Sequence, residues 1–441
     1  MGIRTDWKRA VRLGLSLAVL SLAACGGPGG GAVSHLSKRA FVSDDEDGTL
    51  HIENAANDLE SGFTIPTGAQ PGTMVLSPDK TITLVFDAGD SQGQLAVVSN
   101  SSESLLGRIT LPILPPNVIT GYVSMSNDTV GFVAVPNCPP ASCGGFSNIV
   151  DVVDLATTFS VIGTVPIAQV ARTLVLAPTA ENSLLVFGGP GDQQDTFTVI
   201  NTATAATTPA TSATQLSAAN CPPAAPDCFD RPVSAVFSSD DSKAYVFNCG
   251  PECGGTTASV TVLDMTTTPP TPTTNIPFPG GASTGLLNGN TLYVAGTPSG
   301  TVGVLAGRLS VLDTTALANG PTSAVPISDG FHNHMELASN NKLFIGAGPT
   351  CTAGCLTIFD TNANTAVVDN TTGNVTGIAP ISARNVVYVV EDVAAGSFHC
   401  PGQLPCLGKL RIYDATANVP TLTPTQIDVV GKAVDVKYVD Q

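Results

Sequence analysis

Residues 291–313 read TLYVAGTPSGTVGVLAGRLSVLD. Two alternating runs, Thr291–Ala295 and Leu309–Asp313, flank a Gly-rich loop, and the second stops at an aspartate followed by threonines. Period-two alternation puts successive side chains on opposite faces of a strand, and Asp or Asn with Thr or Ala behind it forms a tight turn. The five-residue ending recurs as Leu50–Asn54 (LHIEN), Val150–Asp154 (VDVVD), Phe197–Asn201 (FTVIN), Val260–Asp264 (VTVLD), Leu356–Asp360 (LTIFD) and Leu410–Asp414 (LRIYD). Leu95–Asn100 (LAVVSN) is the same pattern with one extra residue. Eight copies therefore recur at spacings of 46 to 63 residues. A period of this length marks one structural unit repeated along the chain.

Each copy is preceded by two further strands. The nearer has the form of Lys243–Phe247 (KAYVF), Lys342–Gly346 (KLFIG) and Val386–Val390 (VVYVV); the earlier has that of Thr73–Leu76 and Ala235–Phe237, each followed by a polar turn. A fourth strand follows the signature, as in Ser160–Ile167 and Ser323–Ile327. Four antiparallel strands per repeat is the arithmetic of a propeller blade. Residues 39–66, beginning at Arg39–Ser43, hold only the last three strands of a repeat, and residues 433–439 (AVDVKYV) supply a lone first strand. Pairing the two closes the ring and removes the exposed sheet edges. The expected fold is all-β: one propeller of four-stranded blades, eight by repeat count and seven if one copy is an insertion. A β-sandwich or a string of small β domains fits the even spacing and the complementary ends less well.

The repeats resemble the YVTN-type β-propeller family of bacterial surface and periplasmic proteins. Ser77-Pro78-Asp79, Leu292-Tyr293-Val294 and Val311-Leu312-Asp313 carry the resemblance, which spans about residues 39–440. Members of that family usually have seven blades. The resemblance implies a scaffold and assigns no activity.

The N-terminus has the three-part layout of an export signal. Arg4, Lys8, Arg9 and Arg12 form its positive end, Leu13–Leu22 its apolar run, and Leu22-Ala23-Ala24-Cys25 its end. The last four residues resemble the bacterial lipobox, whose cysteine thiol is lipidated and becomes the mature N-terminus. The expected organisation is a lipoprotein signal peptide over 1–24, a lipidated Cys25 with a Gly-rich tether over 25–38, and the propeller over 39–441. The expected location is the cell envelope, at the outer membrane or its periplasmic face, with the membrane contacted through the lipid alone. Without residues 1–24 the chain carries 14 basic and 34 acidic residues. Such a charge repels phosphate backbones and argues against a nucleic-acid partner.

Ten cysteines remain after Cys25, in five close pairs: Cys138/Cys143, Cys221/Cys228, Cys249/Cys253, Cys351/Cys355 and Cys400/Cys406. In an exported chain such a set reads as disulfides. Cys221/Cys228 and Cys249/Cys253 lie close enough to exchange partners, and metal ligation by thiolates is the alternative. Four pairs fall between the second and third strands of a blade, and Cys221/Cys228 falls between consecutive blades. Both kinds of connection lie on one face of the disc, so that face is stiffened.

Two groups of residues have the chemistry to hold an ion. His332, His334 and Glu336 share one side of a regular strand near the channel mouth, and His399 lies in a loop of the next blade. Imidazoles with a carboxylate suit zinc, copper or iron. The plainer reading makes them channel-mouth polar residues bonded to backbone and water. In residues 44–48 (DDEDG), Asp44, Asp45 and Asp47 offer oxygens to calcium, although Asp-Gly is equally a hairpin turn. Asp87, Asp90, Asp192 and Asp195 occupy equivalent loops, and His51 reads as a solvent-side strand residue. No nucleophile elbow or phosphate loop is present in the sequence. The leading expectation is a monomeric, non-catalytic binding or scaffold protein that meets an envelope protein or a small ligand on its disulfide face. The alternative is a metal-dependent envelope enzyme, lactonase-like or oxidoreductase-like, with its site at the channel mouth.

Overall fold

The eight signature runs all form strands, each paired on both sides, so every one is the third strand of a four-stranded antiparallel sheet. A computed structural model of the chain describes residues 33–440 apart from 90–92, 114–117, 193, 224, 226, 349, 353, 393–407, 418, 419, 428, 430 and 431. Cys25, His399, Cys400 and Cys406 lie outside the described residues. Among the described residues, thirty-two strands make eight sheets. The innermost strands, residues 433–439, 71–76, 122–124, 173–176, 232–237, 284–288, 332–338 and 374–381, each lie against the next until the ring is complete. The fold is an eight-bladed β-propeller.

The first blade is built from both ends of the chain, as the complementary ends require. Arg39–Asp44 pairs with Thr49–Asn54 on one side and with Ala433–Val439 on the other, in the register Arg39↔Val439 to Ser43↔Asp435. The closing strand also ties the first blade to the second: Asp435 Oδ2 accepts from the Met74 N–H at 2.8 Å. Arg39 Nη1 donates to Glu103 of the second blade at 2.7 Å, and on the other side of the first blade Arg384 Nη2 of the eighth donates to Asp58 at 2.8 Å.

The core consists of seams between neighbouring blades. In one seam Phe86, Leu95 and Val97 of the second blade meet Tyr122, Val133 and Val153 of the third. In another, Phe247, Val260 and Val262 of the fifth meet Leu292, Val294 and Leu312 of the sixth. Each large side chain buried this way contributes roughly 1.5–3 kcal/mol. Second strands such as Ile82–Asp87 are buried along their whole length, because a blade is covered on both faces.

The terminal Asp or Asn of the signature does the turn chemistry its position suggests. Asp264 Oδ1 accepts from Thr266 N–H at 2.9 Å, Asp313 from Thr315 N–H at 2.8 Å and Asp414 from Thr416 N–H at 2.8 Å. Donors from those threonines hold the three carboxyls below the ordinary carboxylate range. In the second blade Ser99 takes this place and accepts from Ser102 N–H at 3.2 Å. The extra residue, Asn100, turns inward and donates to the Lys80 carbonyl at 2.8 Å. Between the third and fourth strands of the fourth blade lie two one-turn helices, Thr202–Ala205 and Pro209–Ser212. The sequence carries no helical periodicity there, since a single turn is too short to show one.

Candidate functional site

Second strands run toward one face of the ring and third strands away from it, so the loops joining them share that face with the connectors between blades. Four disulfides close such segments among the described residues: Cys138–Cys143, Cys249–Cys253 and Cys351–Cys355 in second-to-third-strand loops, and Cys221–Cys228 in a connector. Two aspartates lock the loops further. Asp230 Oδ2 accepts from the N–H groups of Thr256 and Thr257 at 2.8 and 2.7 Å. Asp329 accepts from Gly303 N–H at 2.7 Å and from Thr352 N–H at 3.0 Å, joining the Thr297–Ala306 loop to the Cys351–Cys355 loop.

The loops of this face differ from those of the other in what they expose. Among the described residues, Val118, Phe146, Val302, Val304 and Leu305 are the exposed large apolar residues found in loops, and all five belong to the disulfide face. Val302 is 78% exposed and Leu305 57%. The remaining exposed ones, Leu59, Leu106, Ile162, Val367 and Leu422, lie on outermost strands. Turns of the opposite face, such as Ser238–Ser242, are polar and self-bonded.

Just beneath the disulfide face runs a ring of polar residues, three positions before the end of each signature: His51, Asp151, Thr198, Thr261, Ser310, Thr357 and Arg411, with Ala96 in the second blade. The alternation visible in the sequence suggests solvent on this side. Instead six of these side chains are buried and four hold the connectors: Thr198 Oγ1 donates to Gln169 at 2.8 Å, Thr261 Oγ1 donates to the Cys228 carbonyl, Thr357 Oγ1 accepts from Ser328 N–H at 3.0 Å, and Arg411 Nη2 donates to the Thr371 carbonyl at 2.7 Å.

His332, His334 and Glu336 do not share a side. A register shift between His332 and His334 in the innermost strand of the seventh blade breaks the alternation. His332 is fully buried, and burial pushes its pKa down to about 4 against the opposing pull of the Ser328 backbone. His334 and Glu336 reach the channel, where Asp435 and Lys437 of the closing strand act on both. His334 is half-buried and Glu336 exposed in that channel, and the desolvation by nearby protein lowers His334 to about 4 and raises Glu336. Glu336 lines a cavity of about 310 Å³ with Lys80, Lys437 and Tyr438. Lys80 belongs to a first-to-second-strand turn, so this cavity opens toward the opposite face.

The acidic loop of the first blade does gather ligand atoms, in a combination different from Asp44, Asp45 and Asp47. Among the described residues, one group of three or more His, Cys, Asp or Glu has its ligand atoms within 4.8 Å of one another: Asp44, Asp47 and His51. His51 Nε2 lies 2.9 Å from Asp47 Oδ2 and 4.0 Å from Asp44 Oδ2. Asp45 turns away, with Oδ2 3.7 Å from Lys432 Nζ. Gly48 makes the turn at φ +76°, and a Cβ there would meet the Gly68 carbonyl at 2.2 Å. His51 escapes a strand-by-strand reading because its partners lie across the hairpin. The equivalent loop residues Asp87, Asp192 and Asp195 are occupied by backbone or by arginines.

Glu252, inside the Cys249–Cys253 loop, is a half-buried acid that the sequence does not distinguish. One of its oxygens accepts from Thr297 N–H at 3.1 Å and the other has no partner. It lines a cavity of about 230 Å³ with Thr256, Phe278 and Thr297. Burial raises its pKa to about 8, against the pull of the Thr297 N–H. A folded-state pKa above the unfolded one means that the folded state holds the proton more tightly. The resulting penalty is absent near pH 4 and grows as pH rises toward 8. Glu252→Gln should therefore stabilise the protein at pH 7–8 by on the order of 1–2 kcal/mol and change nothing at pH 4. Urea midpoints of both proteins across that range check it.

No protein-family model matches the chain, and no curated protein matches it by sequence. Solved structures do share its fold. Dihydro-heme d1 dehydrogenase NirN in complex with DHE aligns with a TM-score of 0.60 at 12% identity, over 91% of this chain and 77% of that one. Apo AztD from Citrobacter koseri aligns with a TM-score of 0.53 at 12% identity, over 91% of this chain and 98% of that one. A protein of unknown function from Desulfotomaculum acetoxidans gives 0.51 at 14% identity, over 76% of this chain and 96% of that one. At such identities the likeness is one of fold alone.

Proposed function

We propose that this protein is a non-catalytic binding protein of the bacterial cell envelope, tethered by lipid on Cys25, that meets a protein partner on the disulfide face of its propeller. One observation carries the reading: among the described residues, the exposed large apolar side chains found in loops all belong to that face, while turns of the opposite face such as Ser238–Ser242 are polar. Protruding apolar groups on a pre-ordered surface are what a protein interface uses, since little loop entropy is lost on association. The Thr297–Ala306 loop fits this role best. It presents Val302 and Leu305 to solvent and is pinned at Gly303 by Asp329. The YVTN-type repeat and the lipobox-like Leu22-Ala23-Ala24-Cys25 support an extracytoplasmic setting.

The test pairs Val302→Asp with Leu305→Asp and compares protein partners enriched from envelope extracts by the variant and the parent. Enrichment of a discrete partner should fall at least tenfold in the variant, with circular dichroism unchanged. A partner retained equally by both proteins, or none with the parent, would count against the interface. Cys25→Ser in the producing cell should move the protein from the membrane to the soluble fraction, which tests the tether separately.

A further inference from the structure

We propose that Asp44, Asp47 and His51 form a binding site for one divalent transition-metal ion, zinc(II) foremost, on the disulfide face of the first blade. This assignment does not depend on the partner-binding reading. The Asp44 side chain is 0% exposed, yet its Oδ2 has no hydrogen-bond partner and lies 4.0 Å from His51 Nε2. A carboxylate oxygen left unpaired in the protein interior is costly unless a cation or a donor satisfies it.

The way the two carboxylates are held points the same way. Asp44 Oδ1 is occupied by the N–H groups of Glu46 at 2.8 Å, Lys432 at 3.2 Å and Asp47 at 3.3 Å. Asp47 Oδ1 takes the N–H and hydroxyl of Thr49 at 3.0 and 2.7 Å. Each carboxylate thus has one oxygen anchored by the hairpin and presents the other toward His51 Nε2, the arrangement by which an outer shell orients metal ligands. Asp87, at the same place in the second blade, spends both oxygens on backbone N–H groups of Ala69, Gln70 and Gly89. That comparison separates a purely structural aspartate from Asp44.

Donor chemistry selects the ion. One imidazole nitrogen and two carboxylate oxygens match a three-ligand zinc site with a fourth position open to water or a ligand. Calcium takes six to eight oxygens and gains nothing from an imidazole. The Asp44 anchor also comes partly from Lys432, next to the closing strand, so an ion bound here stabilises the closed ring by mass action.

The experiment uses the untagged protein, stripped with a chelator and titrated with zinc(II) against a chromophoric competitor, then with cobalt(II) to record d–d absorption. One equivalent should bind, with the visible bands of a low-coordinate cobalt site and a rise of several degrees in melting temperature. His51→Ala and Asp47→Asn should each weaken binding at least tenfold, while His334→Ala leaves it unchanged. Asp47 is exposed, so its variant keeps the fold, as circular dichroism would verify. Absence of binding to the folded parent, binding that survives both substitutions, or displacement by millimolar calcium would overturn the assignment.

Discussion

Deleting residues 433–441 is expected to open the ring and to lower the urea midpoint more than any single surface change could. The strand removed buries Val436 and Val439 completely and Tyr438 to 6% exposure. At about 1.5–3 kcal/mol each, these three side chains alone account for roughly 5–9 kcal/mol. The deletion also removes the acceptor for the Met74 N–H and strips Arg39–Asp44 of its inner partner. An unpaired inner edge is a template for intermolecular pairing, so the truncated chain should also form oligomers on size exclusion. Val436→Asp puts a charge at the same seam and should act in the same direction without shortening the chain. If the truncated protein stayed monomeric with the parent's urea midpoint, the closing strand would not be what holds the ring.

Arg411→Met should be nearly as damaging, for an electrostatic reason. In the eighth blade Arg411 Nε donates to Glu391 Oε1 at 2.6 Å, and Nη1 donates to the Thr371 hydroxyl at 2.8 Å. Glu391 is 1% exposed, and its second oxygen accepts from Gly373 N–H at 2.6 Å. Removing the guanidinium leaves a buried carboxylate without its cation, which typically destabilises by about 3–5 kcal/mol. Adding Glu391→Gln removes that charge, so the double variant should recover a substantial part of the loss. The two substitutions are in contact, so their effects should not add. Denaturant midpoints of the two singles and the double decide this. A single variant within about 1 kcal/mol of the parent, or a double as unstable as the sum, would show that the pair is not coupled.

Much of the architecture was readable from local pattern. The Leu309–Asp313 type of run, its terminal turn and the preceding strand each depend on neighbours a few residues away, and the eight copies and the complementary ends follow by counting. The placement of four cysteine pairs on one face follows from strand alternation once the blade is recognised. The functional residues were less legible. His332, His334 and Glu336 look co-facial under strict alternation, and one register shift in the seventh blade places His332 in the core instead. Asp44, Asp45 and Asp47 look like an all-oxygen loop, while the folded hairpin sends Asp45 to Lys432 and brings His51 to the other two.

Repeat period, strand polarity and ring closure are properties of backbone hydrogen bonding and of which faces are apolar, and these are written in nearest-neighbour order. Which polar side chain meets which is settled between segments far apart in the chain. Asp435 meets Met74, Asp44 meets Lys432 and Asp329 meets Gly303 and Thr352 only because the blades close on one another. The position three before each signature end shows the division most plainly. Its polarity can be read along the strand, but that it serves a connector in four blades and faces two carboxylates in the first is set by packing around the ring.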